Sequence, residues 1–177
     1  MLIHGDCLEV MKGMVDNSID LTVTSPPYDN LRDYNGYTFD FEGIAKELYR
    51  VTKQGGVVVW VVGDATIKGS ETGTSFKQAL FFKEVGFNLH DTMIWSKPTF
   101  TAVGALVNRY APTFEYMFIL SKGYPKTFNP IKDRKNKRFG DVKHGRIRQK
   151  DGTTKVQSSL GKPIAEYGQR FNVWEMS

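Results

Sequence analysis

The chain has 177 residues, which is long enough to bury one hydrophobic core. Its composition, 40% hydrophobic and 13% aromatic residues, is that of a folded protein and argues against disorder. Its single cysteine excludes an internal disulfide framework and fits a reducing compartment. The longest apolar run, 57–62, is too short to span a bilayer, and no signal-peptide pattern opens the chain. We therefore expect a cytoplasmic protein with no membrane partner.

The net charge of +5 is distributed unevenly along the chain. Residues 121–170 carry 14 Lys and Arg against four Asp and Glu, a local net charge of +10, whereas the other residues carry 10 basic and 15 acidic groups, a net charge of −5. A basic segment beside an acidic body is typical of a protein that binds a polyanion. A charge run by itself more often indicates a solvated face, so its place in the chain decides between the two interpretations.

The N-terminal residues predict a short strand at 1–3, a turn, and a helix from about residue 7 through Met14. The apolar face of that helix is formed by Leu8, Met11 and Val15. Asp6 is placed to cap the helix, and alternatively its carboxylate accepts a hydrogen bond from an adenine amino group. Cys7 is unlike a catalytic nucleophile in its setting, and we expect a small core residue there.

The central stretch of the sequence is Ile19–Thr24, a β-branched apolar run that predicts a buried strand. Two prolines end this strand, and Ser25, which precedes a proline, is held extended. The result is a stiff corner at the carboxyl end of a strand, where open α/β sheets bind their ligands. The alternative is a proline-rich turn or a polyproline ligand, but such ligands are typical of exposed tails.

The remaining sequence up to residue 122 alternates between helical and strand patterns, which predicts an α/β fold with a mainly parallel sheet. The predicted elements are a polar loop over the site at 29–37, a helix at 41–51, a strand at 57–62, a helix at 75–85, and strands at 89–95 and 115–120. Asp64 follows a strand and is expected to cap a helix or to anchor a loop. The three histidines have no metal-ligand spacing, so we expect no metal site.

These motifs, in this order, resemble those of S-adenosylmethionine-dependent DNA methyltransferases of the exocyclic-amino type, in the β permutation class. The matching stretches cover nearly the whole chain and are Gly5-Asp6, Thr24 to Tyr28, Gly55-Gly56 with the strand to Asp64, Trp95 to Pro98, Pro112 to Tyr116, and Asn172 to Trp174. The resemblance implies a Rossmann-like methyltransferase fold with 1–122 as its catalytic half and 123–170 as a basic target-recognition segment. Residues 171–177 would begin the return to the core, and double-stranded DNA is the implied partner.

The resemblance also assigns roles to single residues. The implied catalytic corner consists of Ser25, Pro26, Pro27 and Tyr28, and the implied cofactor contacts are Asp6, Cys7 and Thr24. Contacts with DNA are expected from the loop and edge residues Arg32, Tyr34 and Lys97, and from the basic residues Lys135, Lys137, Arg138, Arg146 and Arg148. Arg109 is a further candidate for a phosphate contact, and Trp95 is expected either to line the base pocket or to pack in the core.

One element of the family is missing from the sequence. No Phe-x-Gly-x-Gly motif, which in the family holds the methionine end of S-adenosylmethionine, occurs in the chain. We therefore expect an incomplete cofactor site and open sheet edges at 1–3 and at Ile19–Thr24. We further expect a truncated gene, or one half of a split enzyme that a second chain completes, and no turnover of S-adenosylmethionine by this chain alone.

The residues at the corner suit methyl transfer to an exocyclic amino group. Such a nitrogen is a poor nucleophile because its lone pair is delocalised into the ring. The Ser25 hydroxyl and the Pro26 carbonyl can accept its two N–H hydrogens out of the ring plane, which makes the lone pair available. Tyr28 can stack on the base once it is flipped out of the duplex. In the family, serine at the first motif position favours cytosine N4 over adenine N6. A non-catalytic DNA-binding remnant and a methyltransferase that acts on RNA or protein are also compatible with the sequence.

Overall fold

The computed structural model describes residues 2–27, 39–99 and 109–175. The helices in these ranges are α1 (Cys7–Lys12), α2 (Phe41–Val51) and α3 (Thr74–Val85). The longer strands are β1 (Ile19–Thr24), β2 (Thr52–Val62), β5 (Asn88–Ser96) and β6 (Phe114–Ser121). The short strands are β3 (Thr66–Ile67), β4 (Ser70–Glu71), β7 (Arg134–Lys135), β8 (Arg146–Arg148), β9 (Thr154–Val156), β10 (Tyr167–Gly168) and β11 (Val173–Glu175). The chain divides into two units, Met1–Phe128 with Asn172–Ser177, and Asn129–Phe171.

The first unit contains a five-stranded sheet in the order β1-β2-β6-β5-β11. β1 is parallel to β2 and β11 is parallel to β5, while β6 runs antiparallel to both of its neighbours. Four of the five strands in this described sheet therefore point the same way. This confirms the predicted α/β class with a mainly parallel sheet, and α2 provides the crossover that the parallel pair β1 and β2 requires.

Helices α2 and α3 pack on one face of the sheet and form the core there. Val58 and Trp60 of β2 are buried with Leu48 of α2 and Phe82 of α3. The Trp60 ring lies 5.0 Å from the Phe82 ring, centroid to centroid, in an edge-to-face arrangement. The indole Nε1 of Trp60 donates a hydrogen bond of 2.8 Å to Gln78 Oε1, so this buried polar atom is satisfied.

The N-terminal residues differ from their prediction in three respects. Leu2 and Ile3 form no strand, because none of the described strands pairs with them. α1 ends at Lys12, where Gly13 caps it, so Val15 is exposed rather than part of an apolar face. Cys7 is also exposed, because it is the first residue of α1 and only Met11 of this helix is buried.

The later elements follow the prediction with shifted ends. β2 begins at Thr52, directly after α2, because Thr52 already pairs with Ile19 of β1. The register then shifts before Leu21 pairs with Val57, and Gly55, with a φ of 82°, lies in the shifted segment. α3 ends at the predicted glycine, since Gly86 takes a φ of 124° that other residues rarely adopt. None of the helices in the described ranges is long and apolar enough to cross a membrane.

The second unit consists of short strand pairs, β7 with β10 and β8 with β9. None of its residues, 129–171, is buried. Ion pairs join Arg170 to Asp133 and Arg138 to Asp141, and main-chain hydrogen bonds connect its turns. Polar contacts rather than an apolar core therefore hold this unit together.

Candidate active site

The candidate site lies at the sheet edge where β1, β2, β5 and β11 end and β6 begins. The register places Thr24 of β1 beside Trp60 of β2, and Ser96 of β5 beside Phe114 of β6. Ligands bind at the carboxyl ends of the strands in open α/β sheets. The segments that leave the sheet at this edge begin at Ser25, Gly63 and Lys97.

The Ser25–Pro27 segment forms the corner after β1. Ser25 is exposed, Pro26 is buried and Pro27 is half-buried. A buried proline with a fixed φ anchors the corner in the fold, so the Ser25 hydroxyl is presented from a stiff backbone. Tyr28, Arg32 and Tyr34, which were predicted to stack on the base or to contact DNA, lie outside the described residues.

Asp64 anchors the segment that follows β2. Its carboxylate accepts hydrogen bonds from the Ser75 main-chain N–H at 2.9 Å and from the Thr72 hydroxyl at 3.3 Å, and the Ser75 hydroxyl donates to its second oxygen. Ser75 lies in the first turn of α3, and Thr72 follows β4. The predicted role of Asp64 as a loop anchor is confirmed; Gly73 is the N-cap residue of α3, and Asp64 accepts the N–H of its first turn from across the loop.

Two basic side chains considered for DNA contact are bonded within the first unit. The Arg109 guanidinium donates a hydrogen bond of 3.0 Å to the Thr66 hydroxyl, so it holds the β3–β4 hairpin. Lys97 forms an ion pair with Glu115, whose side chain is only 12% exposed. The Lys97 Nζ also lies 4.9 Å from the centroid of the Trp95 ring. A contact between Lys97 and DNA stays a prediction.

A column of aromatic side chains, which the sequence analysis missed, occupies alternate positions of β6. Tyr116 lies between Phe114 and Phe118, with ring centroids 5.3 Å and 5.4 Å away, and Phe76 of α3 packs against it at 5.4 Å. Phe114 is 47% exposed at the site edge, so it offers an aromatic surface to a ligand. Partial burial raises the pKa of Tyr116, and the charge of the Asp64 carboxylate adds to the rise, so the phenol stays neutral at pH 7. The spacing of aromatic residues at every second position was the available signal.

The predicted cofactor contacts lie on two elements. Asp6 caps α1, since its carboxylate accepts hydrogen bonds from Leu8 N at 2.9 Å and Glu9 N at 3.1 Å, which confirms the predicted cap. Cys7 is the first residue of α1, and Thr24 is half-buried at the end of β1. Although Cys7 is exposed, desolvation of its thiol by nearby protein atoms raises the pKa of the thiol, and the neighbouring Asp6 charge raises it further, so the thiolate is disfavoured.

Contact of Asp6, Cys7 and Thr24 with the cofactor stays a prediction. The Asp6 carboxylate is engaged by the helix N-terminus, and the sequence has no glycine-rich turn of the Phe-x-Gly-x-Gly kind to approach the cofactor closely. Within residues 2–27, 39–99 and 109–175, no group of three or more His, Cys, Asp or Glu side chains could hold a metal ion.

The outer edge of β1 is unpaired among the described strands. Leu21 and Val23 of this strand are 58% and 64% exposed. They lie on the sheet face opposite to the one that α2 and α3 cover, because the intervening Thr22 is in register with the buried Val58. Exposed apolar residues on an open edge strand favour pairing with another polypeptide segment.

The basic residues of the predicted recognition segment lie in the second unit, except Lys126. This unit carries 12 Lys and Arg against four Asp and Glu, a net charge of +8. The predicted DNA contacts in it are all exposed, namely Lys135, Lys137, Arg138, Arg146 and Arg148. Of these, Arg138 is paired with Asp141 at 2.8 Å. Their contact with DNA stays a prediction.

Comparison with known proteins identifies the family. The family model for DNA methylases of the N6 and N4 type matches residues 19–176. The orphan methyltransferase M.BamHII of Bacillus amyloliquefaciens is 61% identical over 163 residues, which cover 91% of this chain and 60% of that protein. The type II beta methyltransferase M.BslI of Bacillus sp. strain NEB-606 is 32% identical over 168 residues, 81% of this chain and 18% of that protein.

A solved structure gives the same result. TTHA0409 of Thermus thermophilus, classed with the DNA modification methylases and crystallised with S-adenosyl-L-methionine, matches with a TM-score of 0.54 and 29% sequence identity. The match covers 70% of this chain and 54% of that protein, so the chain spans less than two thirds of the length of each of these relatives. The chain belongs to the N6 and N4 methyltransferase family of DNA methylases.

Proposed function

We propose that this chain is the base-binding and DNA-recognition part of a site-specific DNA amino-methyltransferase. The observation that carries the proposal is the exposed Ser25 on a corner anchored by the buried Pro26, at the carboxyl edge of the sheet. The match to the DNA methylase family begins at Ile19 and includes this corner. The proposed substrate is a base flipped out of double-stranded DNA, and the proposed methyl donor is S-adenosylmethionine.

The corner can activate an amino group through hydrogen bonds. The Ser25 hydroxyl accepts one N–H of the exocyclic amino group and the Pro26 carbonyl accepts the other, which draws the nitrogen lone pair out of conjugation with the ring. S-adenosylmethionine, when bound, supplies an electrophilic methyl group. Methylation leaves an extra proton on the nitrogen, and the exposed Ser25 hydroxyl can pass it to water. Fixed acceptors of this kind need no reorganisation during the reaction.

Cytosine N4 is the proposed target atom, because serine occupies the first position of the corner. The test is mass spectrometry of nucleosides from DNA that the completed enzyme has methylated. We expect N4-methylcytosine. A yield of N6-methyladenine alone would reverse the choice of base, and the absence of any methylated nucleoside would favour a DNA-binding remnant without catalysis.

We further propose that polypeptide outside these 177 residues, in the same chain or a second one, pairs with the open edge of β1 and completes the cofactor site. The exposed Leu21 and Val23 support this proposal, as does the span of only 60% of M.BamHII. Calorimetric titration with S-adenosylmethionine tests it. We expect no saturable binding by 1–177 alone and saturable binding after addition of the part of M.BamHII that this chain does not span.

A double substitution in β1 tests whether the binding depends on this strand. Leu21→Lys with Val23→Lys places two charges on the sheet face of the edge strand β1 that the described helices do not cover, and is expected to abolish the binding gained on mixing. Val15→Lys is the matched control, because Val15 is also exposed but lies outside β1. Clean saturable binding by 1–177 alone would contradict the proposed completion.

A further inference from the structure

The β8–β9 hairpin of the second unit separates its charged side chains by face. Arg146 is in register with Val156, Ile147 with Lys155, and Arg148 with Thr154. Since residues directly opposite each other in an antiparallel pair share a face, both arginines lie on one face, with the side chains of Thr154 and Val156. Lys155 and Ile147 lie on the other face.

The arginines of this hairpin are available to a ligand. Asp133 and Asp141 of the second unit pair with Arg170 and Arg138, and Asp151 accepts hydrogen bonds from Thr153. Within the part of the chain that the structure describes, no carboxylate pairs with the arginines of the hairpin, and both side chains are exposed. The positive charge of Arg146 and Arg148 on this face is therefore not neutralised inside the unit.

The tip of the hairpin is fixed by local hydrogen bonds. Gln149 N donates to Thr153 O at 2.7 Å, and Asp151 Oδ1 accepts from Thr153 N at 2.9 Å and from the Thr153 hydroxyl at 2.7 Å. Gly152 adopts a φ of 85° in open space, as a tight turn requires. The two strands are thus held in one register although their side chains are exposed.

We propose that the β8–β9 hairpin enters the major groove of the DNA substrate, with Arg146 and Arg148 reading guanine. A two-stranded ribbon fits the major groove, which is about 12 Å wide, and the arginine fork matches guanine O6 and N7. Alternate residues of a strand lie roughly 6.8 Å apart, about twice the 3.4 Å rise of a base pair, so the two arginines reach bases within three consecutive steps. Val156, 49% exposed beside Arg146, is placed to contact a thymine methyl group.

This inference rests on the proposed function, and selection from a duplex library with a randomised centre tests it without methyl transfer. The full chain, Arg146→Lys and Arg148→Lys are each used to select duplexes, which are then sequenced. Lysine keeps the positive charge and the attraction to phosphates but cannot form the bidentate hydrogen bond to guanine O6 and N7. We expect the unaltered chain to enrich a motif that contains guanine, and each variant to lose about tenfold in preference for guanine at one position while the other positions are kept.

Lys155→Arg is the matched control on the opposite face of the hairpin and is expected to leave the motif unchanged. Circular dichroism establishes that each variant is folded. If both arginine variants select the same motif as the unaltered chain, the hairpin does not read the bases, while the proposed function stands. If the unaltered chain enriches no duplex motif, the hairpin inference and the proposed DNA recognition both fail.

Discussion

Ser25 is the side chain on which the proposed chemistry depends, because it is exposed at the corner after β1. In the completed enzyme, Ser25→Ala is expected to lower the rate constant of methyl transfer about 100-fold or more, the usual effect of removing one preorganised hydrogen-bonding group from an active site. Affinity for DNA should change less than twofold. Single-turnover methylation and fluorescence anisotropy measure the two quantities.

The matched control for this variant is Ser70→Ala. Ser70 lies in β4 and is also exposed, and its hydroxyl donates a hydrogen bond of 3.2 Å to the neighbouring Glu71 carbonyl. Its replacement should change neither rate nor affinity. Equal loss of turnover and DNA binding in Ser25→Ala would instead assign Ser25 a role in folding.

Asp64 has a structural role at the same edge. Asp64→Ala removes the acceptor for the first turn of α3 and leaves the buried Ser75 hydroxyl without this partner. We expect a decrease of about 1–2 kcal/mol in the free energy of unfolding, typical of the loss of a helix cap. Urea denaturation followed by tryptophan fluorescence measures it. Asp64→Asn keeps one acceptor oxygen and should lose less, and equal stability of all three proteins would show that Asp64 is no anchor.

Among the elements, the short strands of the second unit depend on carboxylates rather than on a core. The Arg170 guanidinium hydrogen-bonds Asp133 and holds the pKa of that carboxyl below its ordinary value of 3.8. Hydrogen bonds from Thr153 lower the pKa of Asp151 in the same way. A folded-state pKa below the unfolded one contributes stability that is complete above the ordinary value and is lost as the pH falls through the folded value.

We therefore expect acid to loosen the second unit before the first. In an NMR titration, the amide signals of 131–170 should lose dispersion as the pH falls below the ordinary value of 3.8, while those of α2 and β2 persist. Asp133→Asn should weaken the unit at neutral pH and reduce its acid dependence. Simultaneous loss of both units, with no effect of Asp133→Asn, would show that these carboxylates do not stabilise it.

The elements that could be predicted from the sequence are those with long periodic apolar patterns. β1, α2, α3, β5 and β6 were located for this reason; β1 and α2 have the predicted bounds, and the ends of the other three differ by one residue. The prediction that β1 is buried was wrong, because Leu21 and Val23 lie on a sheet face that the described helices do not cover. The antiparallel direction of β6 and the pairing of β11 with β5 depend on contacts distant in sequence, which no local pattern specifies. The hairpins of the second unit have no buried face, so no periodicity indicated them.

At the site, the chemistry of single residues was easier to predict than the contacts between strands and helices. The proline corner and the anchoring role of Asp64 follow from local backbone chemistry. Phe114 was missed because its exposure depends on where β6 begins in the sheet. Cys7 was placed in the core because the sequence does not show which side of α1 packs against α2.

For the whole molecule, two features define what the chain contributes to a methyltransferase. Among the described residues, the first unit provides a site edge and an unpaired edge of β1, and the second provides a net charge of +8 on side chains of which none is buried. The family match over 19–176 includes residues of both units. The part that binds the methionine end of the cofactor is the contribution that we expect from outside these residues.

Transfer of a labelled methyl group from S-adenosylmethionine to duplex DNA is the most direct test of the proposed function. The 177-residue chain is mixed with the part of M.BamHII that it does not span, and the labelled atom in the DNA is identified. We expect the label on an exocyclic amino nitrogen, and its loss with Ser25→Ala although the DNA is still bound. Label on cytosine carbon 5, or undiminished labelling by Ser25→Ala, would contradict the role of the serine–proline corner.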